Sequence, residues 1–334
     1  MTFPLDPYRM KNLTLAIFVP LVIVVVISGA ALVVGGPSEP PPMSSINNPF
    51  KNIDYSDLPA ASHLVARDGV KLTFRAYPAP GNSAKGSVVL VHGSSASGTS
   101  MHVMAIAFAS DGYTAYALDI RGHGGSGTRG HIAYVGQLED DLEDFITSVK
   151  PDKPATLVGF SSGGGFVLRF AGSTRQKLFS SYLLLSPFIS QEAPTYRPNS
   201  GGWVSVGLPR FVAIELLNAI GIRAFNDLPV TKFALNEDAK AILTPEYSFA
   251  LAQNFRPERD YRANIRAVNQ PLRVVAGKDD EVFYAEHFAE VFRAEGKDVP
   301  VTLIPGIGHI PLTLEHAAVQ AAVAAVRSMN EPRI

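Results

Sequence analysis

Short apolar runs alternate along most of the chain with segments whose apolar residues recur at helical spacing. An apolar run bounded by turn-forming residues is typical of a buried strand, and apolar residues three and four positions apart are typical of a helix. The helical segments include residues 99–109, 137–149 and 164–171, and the strand-like runs are KLTFRAY, SVVLVHG, TAYALDI, ATLVGF, SYLLLSP, LRVVAG and VTLIPG. This alternation predicts an α/β fold with a mostly parallel sheet flanked by helices.

Two stretches depart from this alternation. The opening stretch ARDGVKLTFRAYPAPG predicts an antiparallel edge hairpin that turns at Asp68–Gly69. The stretch between Pro187 and Leu272 has no comparable strand, only helical stretches such as WVSVGLPRFVAIELLNAIGI. Because an open α/β sheet binds its ligand at the carboxyl ends of its strands, an insertion leaving from such an end would cover the site. We therefore expect an α/β core formed by residues 55–187 and 270–330, with a helical cap formed by residues 188–269.

A long uncharged apolar run, Leu13–Val34, precedes the α/β pattern. Its length matches the roughly 20 residues that a helix needs to cross a bilayer. Arg9 and Lys11 come before the run, and the next charged residue after it is Glu39. Under the positive-inside rule, this pattern predicts a transmembrane anchor with residues 1–12 in the cytoplasm and the rest of the chain on the extracytoplasmic side.

The alternative for this segment is a cleaved signal peptide. Leu13–Ile27 would then be its apolar region, and Ser28-Gly29-Ala30 would be a small-residue cleavage site. We favour the anchor because the apolar run exceeds the ~7–15 residues of a signal-peptide core. Both interpretations export the domain, and the second predicts a secreted protein. Residues 35–54 are rich in Pro, Ser and Asn, which predicts an extended linker.

Composition and charge exclude several function classes. The chain has 334 residues, 46% of them hydrophobic, and a formal net charge of -1, so it offers no strongly basic surface for nucleic acid. It has no cysteine, which excludes disulfides, thiol nucleophiles and thiolate metal sites. The acidic run LEDDLEDF has no accompanying histidine, and helical phase spreads its carboxylates around the helix. We therefore expect a solvated helix face at this run and no metal site.

The stretch GFSSG, Gly159–Gly163, fits the pattern G-x-S-x-G. In this pattern small flanking residues allow a serine to occupy a strained turn between a strand and a helix. The strand-like run ATLVGF precedes the motif, and the helical stretch GGGFVLRFAGS follows it. Ser161 is therefore the candidate nucleophile. Ser162 offers its backbone N–H at the helix N-terminus, where developing negative charge is stabilised.

A serine nucleophile needs an imidazole base, and the imidazole needs a carboxylate that holds it in the correct tautomer. His309 follows a strand-like run, in LIPGIGHIPL, so it is expected at the same end of the sheet as Ser161. LRVVAGKDDEVF supplies Asp279 and Asp280 just past another strand. Two adjacent side chains cannot both face the imidazole. We favour Asp280 as the acid and keep Asp279 as the alternative.

Residues from about 62 to 330 resemble the α/β-hydrolase superfamily. The motifs that carry the resemblance are VHGSSAS, DIRGHGGSG, GFSSG, GKDDEV and GIGH. Within the superfamily the chain is similar to the capped branch of monoacylglycerol lipases, lysophospholipases and serine aminopeptidases. In that branch the carboxylate stands three residues after the strand-end glycine, which matches Asp280 after Gly277. The resemblance also implies an oxyanion hole formed by the backbone N–H groups of Ser94 and Ser162.

The resemblance further implies that the DIRGHGGSG residues Asp119, Arg121 and His123 order their loop and do not touch substrate. The reaction predicted for Ser161, His309 and Asp280 is acyl transfer to water, which needs no metal or organic cofactor. A Ser94 or Ser95 hydroxyl is a further candidate donor to the oxyanion hole.

The predicted cap and anchor suggest the substrate. The cap is rich in apolar residues that suit an acyl pocket, namely Trp203, Phe211, Leu216, Leu217 and Ile220. With the anchor, they favour a serine hydrolase that cleaves carboxylic esters of a lipid-like small molecule. One alternative is an aminopeptidase, which needs acidic cap residues to bind a free amine; the candidates are Glu192, Asp227, Glu237 and Asp238. The other alternative is a noncatalytic, membrane-anchored binding protein with the same fold.

Overall fold

The computed structural model describes residue 20, residues 22–23, residues 26–81 and residues 84–330. The strands are β1 (Ser62–Val65), β2 (Lys71–Tyr77), β3 (Ser87–Val91), β4 (Thr114–Leu118), β5 (Ala155–Phe160), β6 (Ser181–Leu185), β7 (Val204–Val206), β8 (Pro229–Phe233), β9 (Glu246–Ser248), β10 (Leu272–Gly277) and β11 (Val301–Ile304). An eight-stranded sheet has the order β1-β2-β4-β3-β5-β6-β10-β11. β1 and β4 pair with β2 antiparallel, and the other neighbours run parallel.

Helices connect most of these strands. They are α1 (Ser44–Asn47), α2 (His102–Ser110), α3 (Gln137–Val149), α4 (Ser162–Ala171), α5 (Leu208–Ala219), α6 (Glu237–Ile242), α7 (Phe249–Asn254), α8 (Tyr261–Ala267), α9 (Phe288–Ala294) and α10 (His316–Asn330). Every residue of the central strands β3, β5 and β6 is buried, as expected for parallel strands covered on both faces. Each predicted apolar run is a strand, and the predicted edge hairpin is present as β1 and β2. The prediction of a mostly parallel α/β sheet is therefore confirmed.

The insertion between β6 and β10 is not purely helical. Besides α5 to α8 it holds a three-stranded antiparallel sheet in the order β7-β8-β9. The expectation of a cap without strands was therefore wrong. The reason is physical: strands as short as Val204–Val206 and Glu246–Ser248 have too few positions to show an alternating pattern. Their pairing with β8 depends on contacts between residues that are distant in sequence.

The segment expected to be an extended linker is partly folded. It contains α1 and a short 3₁₀ helix, Pro49–Asn52. Ile46 is buried, and Met43 and Phe50 pack against the main hydrophobic core. These apolar side chains are the physical reason for the difference, because a free linker would leave them in water.

The predicted anchor, residues 13–34, lies partly outside the described residues, as do residues 1–12. Residues 26–34 are helical. Among the residues that the structure describes, no helix is both long enough and apolar enough to span a bilayer.

The acidic run on α3 also differs from expectation. Glu139 and Asp141 are buried, so the run is not simply a solvated face. Arg169 Nε donates to Glu139 Oε1 at 2.5 Å, and Arg121 Nη2 donates to Asp141 Oδ1 at 2.6 Å. The guanidinium groups make burial of these carboxylates tolerable, because a buried charge is stable when it is paired and hydrogen-bonded. The run therefore attaches α3 to its neighbours.

Candidate active site

Ser161 lies at the sharp turn between β5 and α4. Its backbone has φ 55° and ψ -120°, a strained conformation for a residue with a side chain. The flanking glycines are required by close packing: a Cβ at Gly159 would lie 2.3 Å from the carbonyl oxygen of Gly163, and a Cβ at Gly163 would lie 2.2 Å from that of His92. The Ser161 N–H donates to the Leu185 carbonyl at 2.9 Å, which ties the turn to the end of β6.

The structure brings Ser161, His309 and Asp280 together at the carboxyl ends of β5, β11 and β10, respectively. His309 Nε2 lies 3.0 Å from Ser161 Oγ, and His309 Nδ1 lies 2.8 Å from Asp280 Oδ2. All three residues are buried, with exposed fractions of 5%, 3% and 1% respectively. The rings of Phe160 and Phe283 lie 4.7 Å and 5.3 Å from the imidazole and hold its plane. The arrangement has the geometry of a serine nucleophile, a base and an orienting acid.

Asp280 is fixed by backbone donors as well as by His309. The N–H groups of Val282 and Phe283 donate to Asp280 Oδ1 at 2.8 Å and 2.9 Å. Burial alone would raise the pKa of Asp280, but attraction to His309, the hydrogen bond from its ring and the Phe283 N–H outweigh burial and lower that pKa below its ordinary value. The carboxylate therefore stays ionised and acts as an acceptor toward Nδ1.

The neighbouring carboxylates have different contacts. Asp279 is exposed, and its Oδ2 accepts the Gly306 N–H at 2.8 Å. Glu281 Oε2 accepts the His309 backbone N–H at 2.9 Å, so it holds the loop that carries the imidazole. Of the two adjacent aspartates, only Asp280 bonds to the His309 ring.

The oxyanion-hole candidates lie beside Ser161. Within the described residues, neither the Ser94 N–H nor the Ser162 N–H has an acceptor. The Ser162 N–H is the first of α4, where helix geometry leaves donors free. Trp203 Nε1 donates to Ser94 Oγ at 2.8 Å, so the Ser94 hydroxyl keeps its own proton available. Ser95 Oγ donates to the Thr244 carbonyl at 2.7 Å and is not free.

His123, in the loop after β4, is linked to the Ser94–Ser95 turn through Tyr247 of the cap. Tyr247 Oη accepts the Ser95 N–H at 2.5 Å and lies 2.6 Å from His123 Nε2. His123 Nδ1 faces the Ile120 and Arg121 carbonyls at 3.2 Å and 3.3 Å, so Nε2 is the acceptor of the tyrosine proton. Burial holds the pKa of His123 well below its ordinary value, and this keeps the ring neutral.

Asp119 and Arg121, which were also predicted to order the loop after β4, form hydrogen bonds to other parts of the protein. Asp119 accepts the N–H groups of Gly98 and Gly125, both at 2.8 Å. Arg121 bonds to Asp68 as well as to Asp141.

Two cavities meet at Ser161, and Ser94, Ser161 and Trp203 line both of them. The larger has a volume of about 430 Å³ and a predominantly apolar lining that also includes His309. The smaller has a volume of about 90 Å³ and reaches Arg256. Trp203, which lines both cavities, stacks on Phe233 with ring centroids 5.3 Å apart.

The family described as "Serine aminopeptidase, S33" matches residues 82–315. The chain belongs to this family. It is 33% identical over 258 residues to the monoacylglycerol lipase of Mycolicibacterium smegmatis, a match that covers 72% of this chain and 86% of that protein. It is therefore a serine hydrolase of the monoacylglycerol lipase and esterase type.

Solved structures show the same fold at lower identity. A soluble variant of monoglyceride lipase from Saccharomyces cerevisiae superposes with a TM-score of 0.64 and 17% identity, over 85% of this chain and 98% of that chain. A membrane phospholipase A, described as a bacterial virulence factor, superposes with a TM-score of 0.55 and 15% identity, over 97% of each chain.

Sequence reasoning missed several residues around the site of this family member. Glu281 lies within the GKDDEV motif but was given no role, and Tyr247 and Arg256 lie outside every motif, so their positions depend on loop and cap packing. Trp203 was expected as an apolar cap residue suited to an acyl pocket, and its indole N–H also bonds to Ser94. The available signal in the sequence was the tryptophan itself, because a buried Trp N–H usually has a hydrogen-bond acceptor.

Proposed function

We propose that this serine hydrolase cleaves carboxylic esters of lipid-like molecules, of the monoacylglycerol or lysophospholipid type. The observation that carries the proposal is the large, predominantly apolar cavity that Ser161 and His309 line. Such a space suits an acyl chain, because each methylene group moved from water into an apolar cavity contributes about 0.8 kcal/mol. The Mycolicibacterium smegmatis relative, a monoacylglycerol lipase by name, supports the same substrate class.

In the proposed mechanism Ser161 Oγ attacks the ester carbonyl carbon while His309 Nε2 takes the hydroxyl proton. The N–H groups of Ser94 and Ser162 stabilise the oxyanion that forms, and Asp280 stabilises the imidazolium. His309 then gives the proton to the alcohol oxygen as the carbon–oxygen bond breaks. Water, deprotonated by His309, attacks the acyl-enzyme and releases the acid and Ser161.

The charges around the site favour an ester over a peptide amine. An aminopeptidase needs a carboxylate to bind the free ammonium group of its substrate. Glu192, Asp227 and Glu237 do not line either cavity, and Asp238 lines the large one with an exposed side chain. The small cavity instead contains Arg256, which forms no ion pair with any described residue and donates to the Gln191 amide oxygen at 3.1 Å. A guanidinium disfavours an ammonium and suits an anionic headgroup such as phosphate.

We also propose that residues 13–34 anchor the protein in the cell membrane, with the catalytic domain on the extracytoplasmic side. The length and lack of charge of this run support the anchor, and the charges before it support the orientation. Release of the chain from membranes by high salt or alkali would contradict the anchor and favour the secreted form.

Labelling with a fluorophosphonate tests the enzymatic proposal. We expect the full chain in detergent to be labelled on Ser161, and we expect Ser161→Ala to remain unlabelled although folded. A folded wild-type protein without label would favour the noncatalytic binding protein. Hydrolysis of aminoacyl amides but not of monoacylglycerols by the labelled enzyme would favour the aminopeptidase.

A further inference from the structure

Residues 35–58, here called the strap, run from the end of the helical residues 26–34 across the cap toward the core. Hydrogen bonds and ion pairs fix the strap on the cap. Ser38 Oγ lies 3.0 Å from Ser205 Oγ, and the Met43 N–H donates to the Ala234 carbonyl at 2.9 Å. Glu39 pairs with Lys240 at 2.5 Å and with Lys232 at 3.3 Å.

The end of the strap is fixed on the core. Asp57 Oδ1 lies 2.9 Å from His102 Nε2, and Tyr77 Oη lies 2.9 Å from His102 Nδ1. The Tyr55 ring lies 5.6 Å from the same imidazole. Because one part of the strap is bound to the cap and the other to the core, the residues between them are held in place.

The strap also forms part of the large cavity. The lining residues that come from the strap are Ile46, Asn47, Phe50, Lys51, Tyr55 and Leu58. They share the cavity with Ser161 and His309 and lie outside residues 82–315, the part of the chain that matches the family.

We propose that the strap is the wall that contacts the substrate acyl chain and sets the acyl length that the enzyme prefers. This inference rests on the proposed ester hydrolysis. The apolar strap residues Phe50 and Leu58 supply contact surface, and each further methylene group of the substrate that they bury raises kcat/KM by about fourfold. An acyl chain longer than the cavity can hold gains no further contact, so kcat/KM stops rising. The segment just before the family domain is thereby a specificity element.

The absence of cysteine from the chain allows a direct test. Phe50→Cys introduces a single thiol into the strap wall, and Asn48→Cys introduces one at an exposed strap position that does not line the cavity. Ser161 of the full chain is first labelled with a hexadecyl or an ethyl fluorophosphonate, and alkylation of the thiol by a maleimide is then timed. We expect the hexadecyl label to abolish alkylation in Phe50→Cys, whereas the ethyl label leaves it unchanged. Asn48→Cys is expected to react at the same rate with both labels.

The outcomes separate the two proposals. If neither phosphonate labels Ser161, the proposed function fails. If both label it and Phe50→Cys is alkylated at the same rate with each, the strap does not contact the acyl chain and the inference is wrong.

Kinetics give a second test that does not depend on the introduced thiols. Phe50→Ala enlarges the cavity and Leu58→Trp fills it, so we expect the preferred acyl length in a series of glycerol monoesters to shift up in the first variant and down in the second. Asn48→Ala serves as the control and is expected to keep the wild-type preference. Active variants whose length profiles match the wild type would overturn the inference.

Discussion

Substitution of Asp280 by asparagine tests the polarity of the hydrogen-bond chain through His309. The N–H groups of Val282 and Phe283 both donate to Asp280 Oδ1. In Asp280→Asn these two donors select the amide oxygen at the Oδ1 position, which points the amide NH₂ at His309 Nδ1. Nδ1 must then accept, so the ring proton moves to Nε2, which can no longer take the proton of Ser161.

The expected loss is large because the wrong tautomer removes the base while leaving the fold intact. In serine proteases the corresponding change lowers kcat by about 10⁴-fold, or about 5 kcal/mol of transition-state stabilisation. We expect a similar loss in Asp280→Asn. The assay is kcat and KM for a soluble short-chain ester, with thermal unfolding measured alongside to show that the variant folds. KM should change little, because Asp280 lines neither cavity.

Asp279→Asn is the matched control in the same turn. Its Oδ2 accepts the exposed Gly306 N–H, a contact that an amide oxygen can also make. We expect kcat within about threefold of the wild type, since exposed hydrogen bonds of this kind contribute about 0.5 kcal/mol. If Asp280→Asn kept more than a tenth of the wild-type kcat, or if Asp279→Asn lost as much activity, the tautomer argument would be refuted.

Two further predictions concern the surroundings of the triad. Burial holds the pKa of His123 well below its ordinary value, so its contribution to stability is complete above pH ~6.5 and falls with decreasing pH by up to about 1.4 kcal/mol per unit, because only the unfolded state gains the proton. The free energy of unfolding, measured with urea between pH 7 and pH 5, should depend less steeply on pH in His123→Gln than in the wild type, by up to this amount per pH unit. Equal pH dependences in the two proteins would contradict the argument. Arg256→Met should lower kcat/KM for a lysophospholipid by about tenfold or more, and less for the monoacylglycerol of the same acyl chain; equal losses would exclude a headgroup role for Arg256.

The sheet and the position of the candidate triad could be predicted from sequence because both depend on local patterns. Each strand of the parallel sheet is a predominantly apolar run; Ser161 directly follows one, Asp280 lies three residues past the end of β10, and His309 lies five residues past the end of β11. The carboxyl ends of parallel strands lie at one edge, so their loops meet. This reasoning needs no knowledge of side-chain contacts, and the structure places the three side chains within hydrogen-bond distance.

The cap strands and the strap could not be predicted in this way. β7 and β9 are too short to show an alternating apolar pattern. The strap has the composition of a linker because its turn-forming residues outnumber its apolar ones. Ile46 is buried and Phe50 is half-buried because both pack into the main hydrophobic core, whose other residues come from distant parts of the chain. The burial of Glu139 likewise depends on Arg169, which is remote in sequence. In each case the deciding partner lies far along the chain.

The same kind of long-range contact joins the cap to the loop that carries the Ser94 N–H, the proposed oxyanion-hole donor. Trp203 and Tyr247, both in the cap, bond to the consecutive residues Ser94 and Ser95 in the loop after β3. A cap that only covered the substrate could move without affecting the donors. Here a displacement of either cap residue removes a hydrogen bond that fixes the loop, and a donor misplaced by ~1 Å can cost about a hundredfold in rate. The cap therefore lines the proposed substrate space and also fixes the loop that carries the Ser94 N–H.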